Sequence, residues 1–267
     1  MTRPVAVVTG GGGGLGRVLV DRLDAEGFDV LPVDVLGTER VLDVTDAAAC
    51  RALADEVRPR VWVNNAGVLG AGDAATQPDE VVERVVRVTL LGVLHGTRAA
   101  VASMRAHGGG HVVSIASLAS WVPVPGEAVY AAAKAGVLSY TLSLAAELRA
   151  QGVEDVRLSA VCPDGMLTPM VTDVLDDDAV AMSFTAPRLT TPEEVADRVA
   201  ELLLHPRLVS SVPHWRGAQV RLFAAVPDAM LRAAPVFARI GRANLERARA
   251  QARRGSSRRS TTEPPSA

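Results

Sequence analysis

Residues 9–16 read TGGGGGLG, with the short apolar run 4–8 before them and an amphipathic run, 17–25, after them. Strand, glycine turn and helix in that order open a βαβ unit. Working outward, apolar runs at 28–33 and 40–42 each end on a carboxylate, Asp34 and Asp43. Helical spacing over 46–57 leads into Val61, Trp62 and Val63 and then NNAG at 64–67. Pro78 opens a long helical pattern reaching about Met104, and HVVSIAS at 111–117 reads as the next strand. A helix over 126–150, a strand over 156–161 and a helix over 192–204 continue the alternation. This spacing predicts right-handed crossovers on a parallel sheet covered on both faces, a doubly wound α/β domain. Pro32 has no N–H to give to a ladder, which blurs where the second strand starts.

With 267 residues, 48% of them hydrophobic and 22% charged, the chain can bury one good core. A net charge of -2 and no basic block ahead of the C-terminal region leave no electrostatic footprint for nucleic acid. Cys50 and Cys162 are isolated, with no CxxC spacing, which suits a reducing compartment and argues against a disulfide framework or a zinc site. The five histidines are scattered, so no metal is expected. Met1 runs straight into a strand and no stretch holds 18 consecutive apolar residues, so a cytoplasmic location is expected.

Lys134 is the only lysine among 28 Lys and Arg residues, and it stands one helical turn after Tyr130, one of two tyrosines. An ammonium is a compact point charge where a guanidinium is a planar fork, so a position that keeps Lys in an Arg-rich chain needs that shape. Residues four apart share a helix face. A tyrosine alone has a pKa of about 10, and a neighbouring cation favours its phenolate. The glycine run, placed after the first strand and opening a helix, lets backbone N–H groups meet a pyrophosphate. Asp34 stands where a ribose-binding carboxylate is expected, and would repel a 2'-phosphate. No Arg interrupts the glycines, and Val35 and Leu36 follow Asp34, so NAD is expected in preference to NADP.

This constellation resembles the short-chain dehydrogenases/reductases over residues 4–226. TGxxxGxG stands as Thr9, Gly10, Gly14 and Gly16, NNAG as residues 64–67, Ser117 lies 13 residues before Tyr130, and YxxxK is Tyr130 with Lys134. The resemblance implies a single Rossmann-like domain of about seven strands. It further implies that Leu15 joins the glycine cradle, that Asp43 and Val44 frame the adenine, and that Asn65, Ala66 and Gly67 line the adenosine side. Lys134 would hold the nicotinamide ribose and lower the pKa of Tyr130, the acid/base. Ser117 would orient the substrate oxygen, and Pro163 and Thr168 would lie near the nicotinamide. Two positions depart from the pattern. Thr89, in TLLG at 89–92, replaces an asparagine that holds a relay water in relatives and is expected to support a working but altered proton relay, and Asp164 replaces a glycine after Pro163. Gly165 is expected to restore backbone freedom there, and Asp164, if it faces the site, to select substrates.

Residues 166–187 mix Met166, Leu167, Met170, Val174, Leu175, Met182 and Phe184 with Asp176, Asp177 and Asp178, an apolar cover suited to a hydrophobic secondary alcohol or its ketone. After the catalytic domain at 1–226, residues 227–254 form an amphipathic helical extension with Met230, Leu231, Ala234, Phe237 and Ile240 on its apolar side, and 255–267 a tail expected to be disordered. Packing of that extension on its own domain or a twin subunit is the commoner outcome, and a membrane surface the rarer one. Relatives are often homodimers or homotetramers. Two other functional classes fit less of the sequence: a catalytically weak dinucleotide-binding regulator or scaffold, and a nucleotide-sugar isomerase or dehydratase.

Overall fold

The computed structural model describes residues 2–260, with side chains described up to residue 250. Among these, one parallel sheet holds seven strands: β1 (Val5–Thr9), β2 (Asp29–Asp34), β3 (Arg40–Val41), β4 (Val61–Asn64), β5 (Gly110–Ile115), β6 (Val156–Pro163) and β7 (Val209–Val212). Their order is β3-β2-β1-β4-β5-β6-β7. Strands are added outward in one direction from β1 to β3 and in the other from β4 to β7, and the crevice beyond the carboxyl ends of β1 and β4, where this order switches, is where such sheets take ligands.

The central strands β1 and β4 are largely apolar because both faces are covered. Along β1, Val7 faces one layer while Ala6 and Val8 face the other, and Trp62 alternates with Val61 and Val63 along β4. Helices α1 (Gly14–Ala25) and, later in the chain, α7 (Pro192–Leu204) cover one face through Leu19, Leu23, Val199 and Leu202. The other face carries α2 (Ala47–Val57), with Leu53 and Ala54, and α4 (Gly92–Ala106), with Ala100 and Met104. Leu148 of α5 (Ala128–Ala150) joins that second layer. Local chemistry sets several starts. Asp46 takes the N–H groups of Ala48 and Ala49 at the head of α2, and Thr191 and Glu194 close a capping box around Pro192 at the head of α7.

The long helix expected from Pro78 is α3 (Asp79–Val85), which passes through a π-helical turn, Val86–Leu91, into α4. Asp79–Ala106 is apolar enough by composition to cross a membrane, but half of its most apolar window is buried inside the domain, as in a core helix. Pro32 is tolerated inside β2 for a definite reason. Gly11 N–H donates to Val33 O on the β1 side and Leu42 N–H to Asp34 O on the β3 side. Pro32 therefore shares the β3 side, where pairing begins only at Val33. β7 was not legible as a strand because it is short and two of its four residues, Ser210 and Ser211, are buried serines.

Beyond β6 the chain makes the short α6 (Pro169–Thr172) and a 3-10 segment, Asp178–Phe184. After β7 come α8 (His214–Ala224) and α9 (Pro227–Ser260). The last is one helix and runs on to Ser260, into the stretch expected to be disordered; residues 261–267 lie outside the described residues. It docks on the segment after β6. Leu245 is wholly buried with Leu175, Val180 and Phe184. Asn244 Nδ2 donates to Phe184 O (2.9 Å) and Ala186 O (3.2 Å), and Arg249 Nε to Leu175 O (2.7 Å). Arg249 also pairs with Asp178 at 2.9 Å. Leu175 and Phe184 thus belong to a core shared with α9, a correction to their expected place in a substrate cover. Leu231 and Ile240 are exposed, so they do not share the buried side of Met230.

Gly241 sits where α9 touches this segment, and a Cβ there would overlap the carbonyl oxygen of Ala181. Overpacking of this kind costs about 1–3 kcal/mol. Gly241→Val is expected to lower Tm by a few degrees and to speed amide exchange over 175–186 while the sheet amides stay protected. Unchanged exchange over that segment would show that α9 does not hold it.

Candidate functional site

One cavity of about 610 Å³ opens at the carboxyl ends of β1, β4, β5 and β6. Its floor at one end is the glycine turn. Gly10 (φ 67°) and Gly14 (φ 53°) hold left-handed backbone that side chains rarely adopt. A Cβ on Gly16 would overlap Gly10 O, so the turn and α1 meet only without side chains. Gly13 at the head of α1 makes no side-chain cap and the first turn carries no acid, while Gly13, Gly14 and Leu15 line the cavity. The orphan N–H groups and positive end of α1 therefore face the cavity, a cradle for a diphosphate.

Around this cradle stand the expected nucleotide-side residues. Thr9 Oγ1 accepts the N–H groups of Asn65 (3.0 Å) and Ala66 (3.1 Å), and Asn65 Nδ2 reaches back to Thr9 O and Gly10 O, both at 3.1 Å. Asn65 is thus a strut between glycine turn and β4, and Ala66 and Gly67 line the cavity beside it. Asp34 accepts Gly12 N–H (3.1 Å) and Val35 N–H (2.7 Å), which orients its carboxylate on the cavity wall. Asp43 accepts Thr45 N–H at 2.8 Å and, with Val44, lines the same end. Arg17 Nη2 donates at 3.3 Å to the carbonyl of Gly12, the residue whose N–H binds Asp34. Arg17 belongs to α1 and is not among the cavity-lining residues. Together the uncapped helix, Asp34 and Asp43 fit a dinucleotide.

The other half of the cavity gathers Ser117, Tyr130, Lys134, Pro163 and Thr168. Ser117 lies just past β5, and its Oγ accepts Ala119 N–H at 3.1 Å, capping a 3-10 turn, Leu118–Ser120. Lys134 Nζ donates to Ile115 O at 2.6 Å and lies 5.6 Å from the centre of the Tyr130 ring. Ser120 Oγ donates to Lys134 O at 2.9 Å. Burial pushes the Lys134 ammonium down to about 8. Burial also raises the Tyr130 phenol above its ordinary value, the negative charge of Glu127 adds to this, and the Ser117 hydroxyl opposes it. The ammonium was expected to lower the Tyr130 pKa. In the protein alone desolvation outweighs it, because a buried phenolate loses far more hydration than a charge at ring distance returns.

Two further expectations change. Thr89 is fully buried in the π-helical turn and does not line the cavity; its Oγ1 accepts Val68 N–H and donates to Val68 O, both at 3.0 Å. Its hydroxyl secures the backbone after Asn65–Gly67, and no hydrogen bond links it to Lys134. Asp164 does line the cavity, but as half of an ion pair: Arg216 Nε donates to its Oδ2 at 2.7 Å, and both side chains are nearly buried. Gly165 is needed for close approach, since a Cβ there would overlap Ser183 O.

The sequence reading missed Glu127, Ser183, Arg216, Phe223 and the cavity-facing role of Met230 and Phe237. The last two bring the C-terminal extension into the cavity wall, with Phe223 and Phe237 edge to face at 5.7 Å. Only Glu127, three residues before Tyr130 in an otherwise apolar helix start, carried a signal. Among the described residues no cluster of His, Cys, Asp or Glu could hold a metal.

Comparison with known proteins agrees with this geometry. The family model described as short chain dehydrogenase matches residues 37–179. The chain is 33% identical over 227 residues to 2-(R)-hydroxypropyl-CoM dehydrogenase of Xanthobacter autotrophicus, covering 73% of this chain and 89% of that one. Some other curated relatives are longer proteins, of which the chain spans 34% to 39%. A short chain dehydrogenase/reductase from Burkholderia phymatum, solved in complex with NAD, superposes with a TM-score of 0.73 at 25% identity over 86% of this chain and 95% of that one. A structure from Beutenbergia cavernae with bound NADP gives 0.68 at 28% identity over 78% and 94%. Fold, cavity and relatives converge: the chain belongs to the short-chain dehydrogenase family, oxidoreductases that act on alcohols and ketones with NAD or NADP.

Proposed function

We propose that this chain interconverts a secondary alcohol and its ketone with NAD, using Tyr130 as the proton carrier. The observation that carries this reading is the meeting, in one cavity, of the uncapped end of α1 with Ser117, Tyr130 and Lys134. When bound, the dinucleotide supplies the hydride acceptor or donor and, in its oxidised form, a positive charge. The residues of the chain do the rest. In the oxidising direction Tyr130 would act as phenolate, its own proton having left first: the carbinol gives its C–H electron pair as hydride to the dinucleotide and its O–H proton to the Tyr130 oxygen; reduction runs from the neutral phenol and returns both. Ser117, beside the phenol, orients the substrate oxygen. Lys134, fixed by Ile115 O, presents N–H donors to the ribose and a positive charge to the phenol. By itself the protein keeps Tyr130 protonated, so the unloaded site is set as a proton donor. Thr89 acts as a positioning residue for the 65–68 backbone.

Asp34 supports the choice of NAD. Its carboxylate is pinned by two backbone N–H groups at the cavity wall and has acceptor capacity left for ribose hydroxyls, while a 2'-phosphate there would meet a fixed negative charge. Arg17, directed to Gly12 O, does not line that wall. Apolar residues of the substrate half, among them Val124, Met182, Phe223 and Met230, favour a largely hydrophobic substrate.

Positioned acid/base groups contribute about 10²–10⁴-fold. Tyr130→Phe is therefore expected to lower kcat/KM on oxidisable secondary alcohols by at least about 100-fold while calorimetric NAD affinity stays close to wild type. Retained turnover would remove Tyr130 from the chemistry. Steady-state kinetics with each dinucleotide should give a kcat/KM for NAD at least about tenfold above that for NADP, a difference of 1.4 kcal/mol, narrowed by Asp34→Ser. A preference for NADP would overturn the assignment of Asp34.

A further inference from the structure

The substrate half of the cavity contains a carboxyl that the proton-transfer reading does not use. Glu127 stands immediately before α5, is 2% exposed, and lines the cavity. Ser183 Oγ donates to its Oε1 at 2.7 Å, and no other side-chain hydrogen bond or ion pair reaches this carboxyl among the described residues. The nearby cations are committed elsewhere. Arg216 is bound to Asp164, Thr185 and Gln219, and Lys134 to Ile115 O. This carboxyl, set among Val124, Met182 and other apolar lining groups with a single hydroxyl donor, has acceptor capacity left on its cavity side. Burial holds its pKa up at about 7, so it is half protonated near neutrality and can accept from or donate to a neutral partner.

A mere latch between α5 and the segment after β6 would not need this carboxyl. Gly126 already seats that junction: its φ is 88°, a Cβ there would overlap Ala179 O, and its own carbonyl accepts Gly72 N–H at 2.9 Å. What lacks a partner is the cavity side of Glu127. A second hydroxyl on the substrate would supply one. An ammonium would also donate, but it would carry a full charge into an apolar chamber.

We propose that Glu127, with Ser183, is a substrate-recognition point selecting secondary alcohols and ketones that carry a further hydroxyl, as diols or hydroxy ketones, over their mono-oxygenated counterparts. This rests on the oxidoreductase reading above and narrows its substrate class. The second hydroxyl keeps its proton and is not oxidised; only the carbinol facing Tyr130 gives up hydride and proton.

The test is NADH formation by the full chain on matched probes: cyclohexanol against the 1,2-, 1,3- and 1,4-cyclohexanediols, and 2-butanol against 2,3-butanediol. The wild-type protein is expected to show a kcat/KM at least about tenfold higher on the best diol than on its mono-alcohol, a difference of 1.4 kcal/mol. In Glu127→Leu that ratio should fall to near one, and in the isosteric Glu127→Gln, which keeps an acceptor for Ser183, to an intermediate value. Glu127→Gln decides the matter if the leucine variant does not fold. A wild-type ratio near one, or a ratio unchanged in the variants while all rates drop together, overturns the proposal and leaves a latch. Calorimetric NAD binding with no turnover of any probe sinks both this inference and the oxidoreductase reading; turnover with a flat ratio sinks this inference alone.

Discussion

The hydrogen bond from Lys134 Nζ to Ile115 O ties the last residue of β5 to the second turn of α5, and the site is arranged around it. It fixes where α5 crosses the sheet, and so where Tyr130, one turn earlier, enters the cavity. The ammonium is 4% exposed. It tolerates that burial by keeping a strong carbonyl acceptor and by a lowered pKa, a response open to lysine and closed to arginine. A planar guanidinium could not place one donor on Ile115 O while leaving a compact charge under the phenol. That accounts for a lone lysine in a chain that otherwise uses arginine.

The same burial governs the rest of the chamber. The phenol is kept neutral by desolvation and by Glu127, the Asp164 carboxylate is held by Arg216, and Glu127 itself rests on one serine. Three acidic groups thus share one cavity, each with different partners. The substrate half is completed by α8 and by α9, whose Met230 and Phe237 form part of the wall and whose Asn244 and Arg249 hold the segment carrying Met182 and Ser183. The C-terminal extension is therefore part of the cavity wall.

The sheet and nucleotide side were legible because their signals are local: apolar runs at strand length, glycines where left-handed backbone is required, and carboxylates at strand ends. β7 escaped because Ser210 and Ser211 give no apolar pattern. The length of α9 escaped because its C-terminal part lacks apolar periodicity. Spacing grouped Tyr130, Lys134 and Ser117, which line one cavity, but the sign of the Tyr130 shift was not legible, since proximity of a cation can be read from i and i+4 whereas desolvation depends on everything packed around the ring. Thr89 and Asp164 were noticed as departures, and their partners, Val68 and Arg216, lie too far along the chain for spacing to reveal. Glu127 carried a signal in its place three residues before Tyr130, but its partner Ser183, 56 residues on, became visible only in the fold.

On the proposed reading Tyr130 stays a neutral phenol beside the Lys134 ammonium in the chain alone, and a bound oxidised dinucleotide would supply the positive charge that favours its phenolate. With only two tyrosines, 13Cζ-tyrosine NMR titration of the Tyr140→Phe variant reads Tyr130 directly. Without NAD the resonance should stay at its phenol value through about pH 10, and with saturating NAD its midpoint should fall by about 2 units or more. A midpoint that NAD leaves unmoved, or an ionised Tyr130 near neutrality in the unliganded protein, would contradict the account.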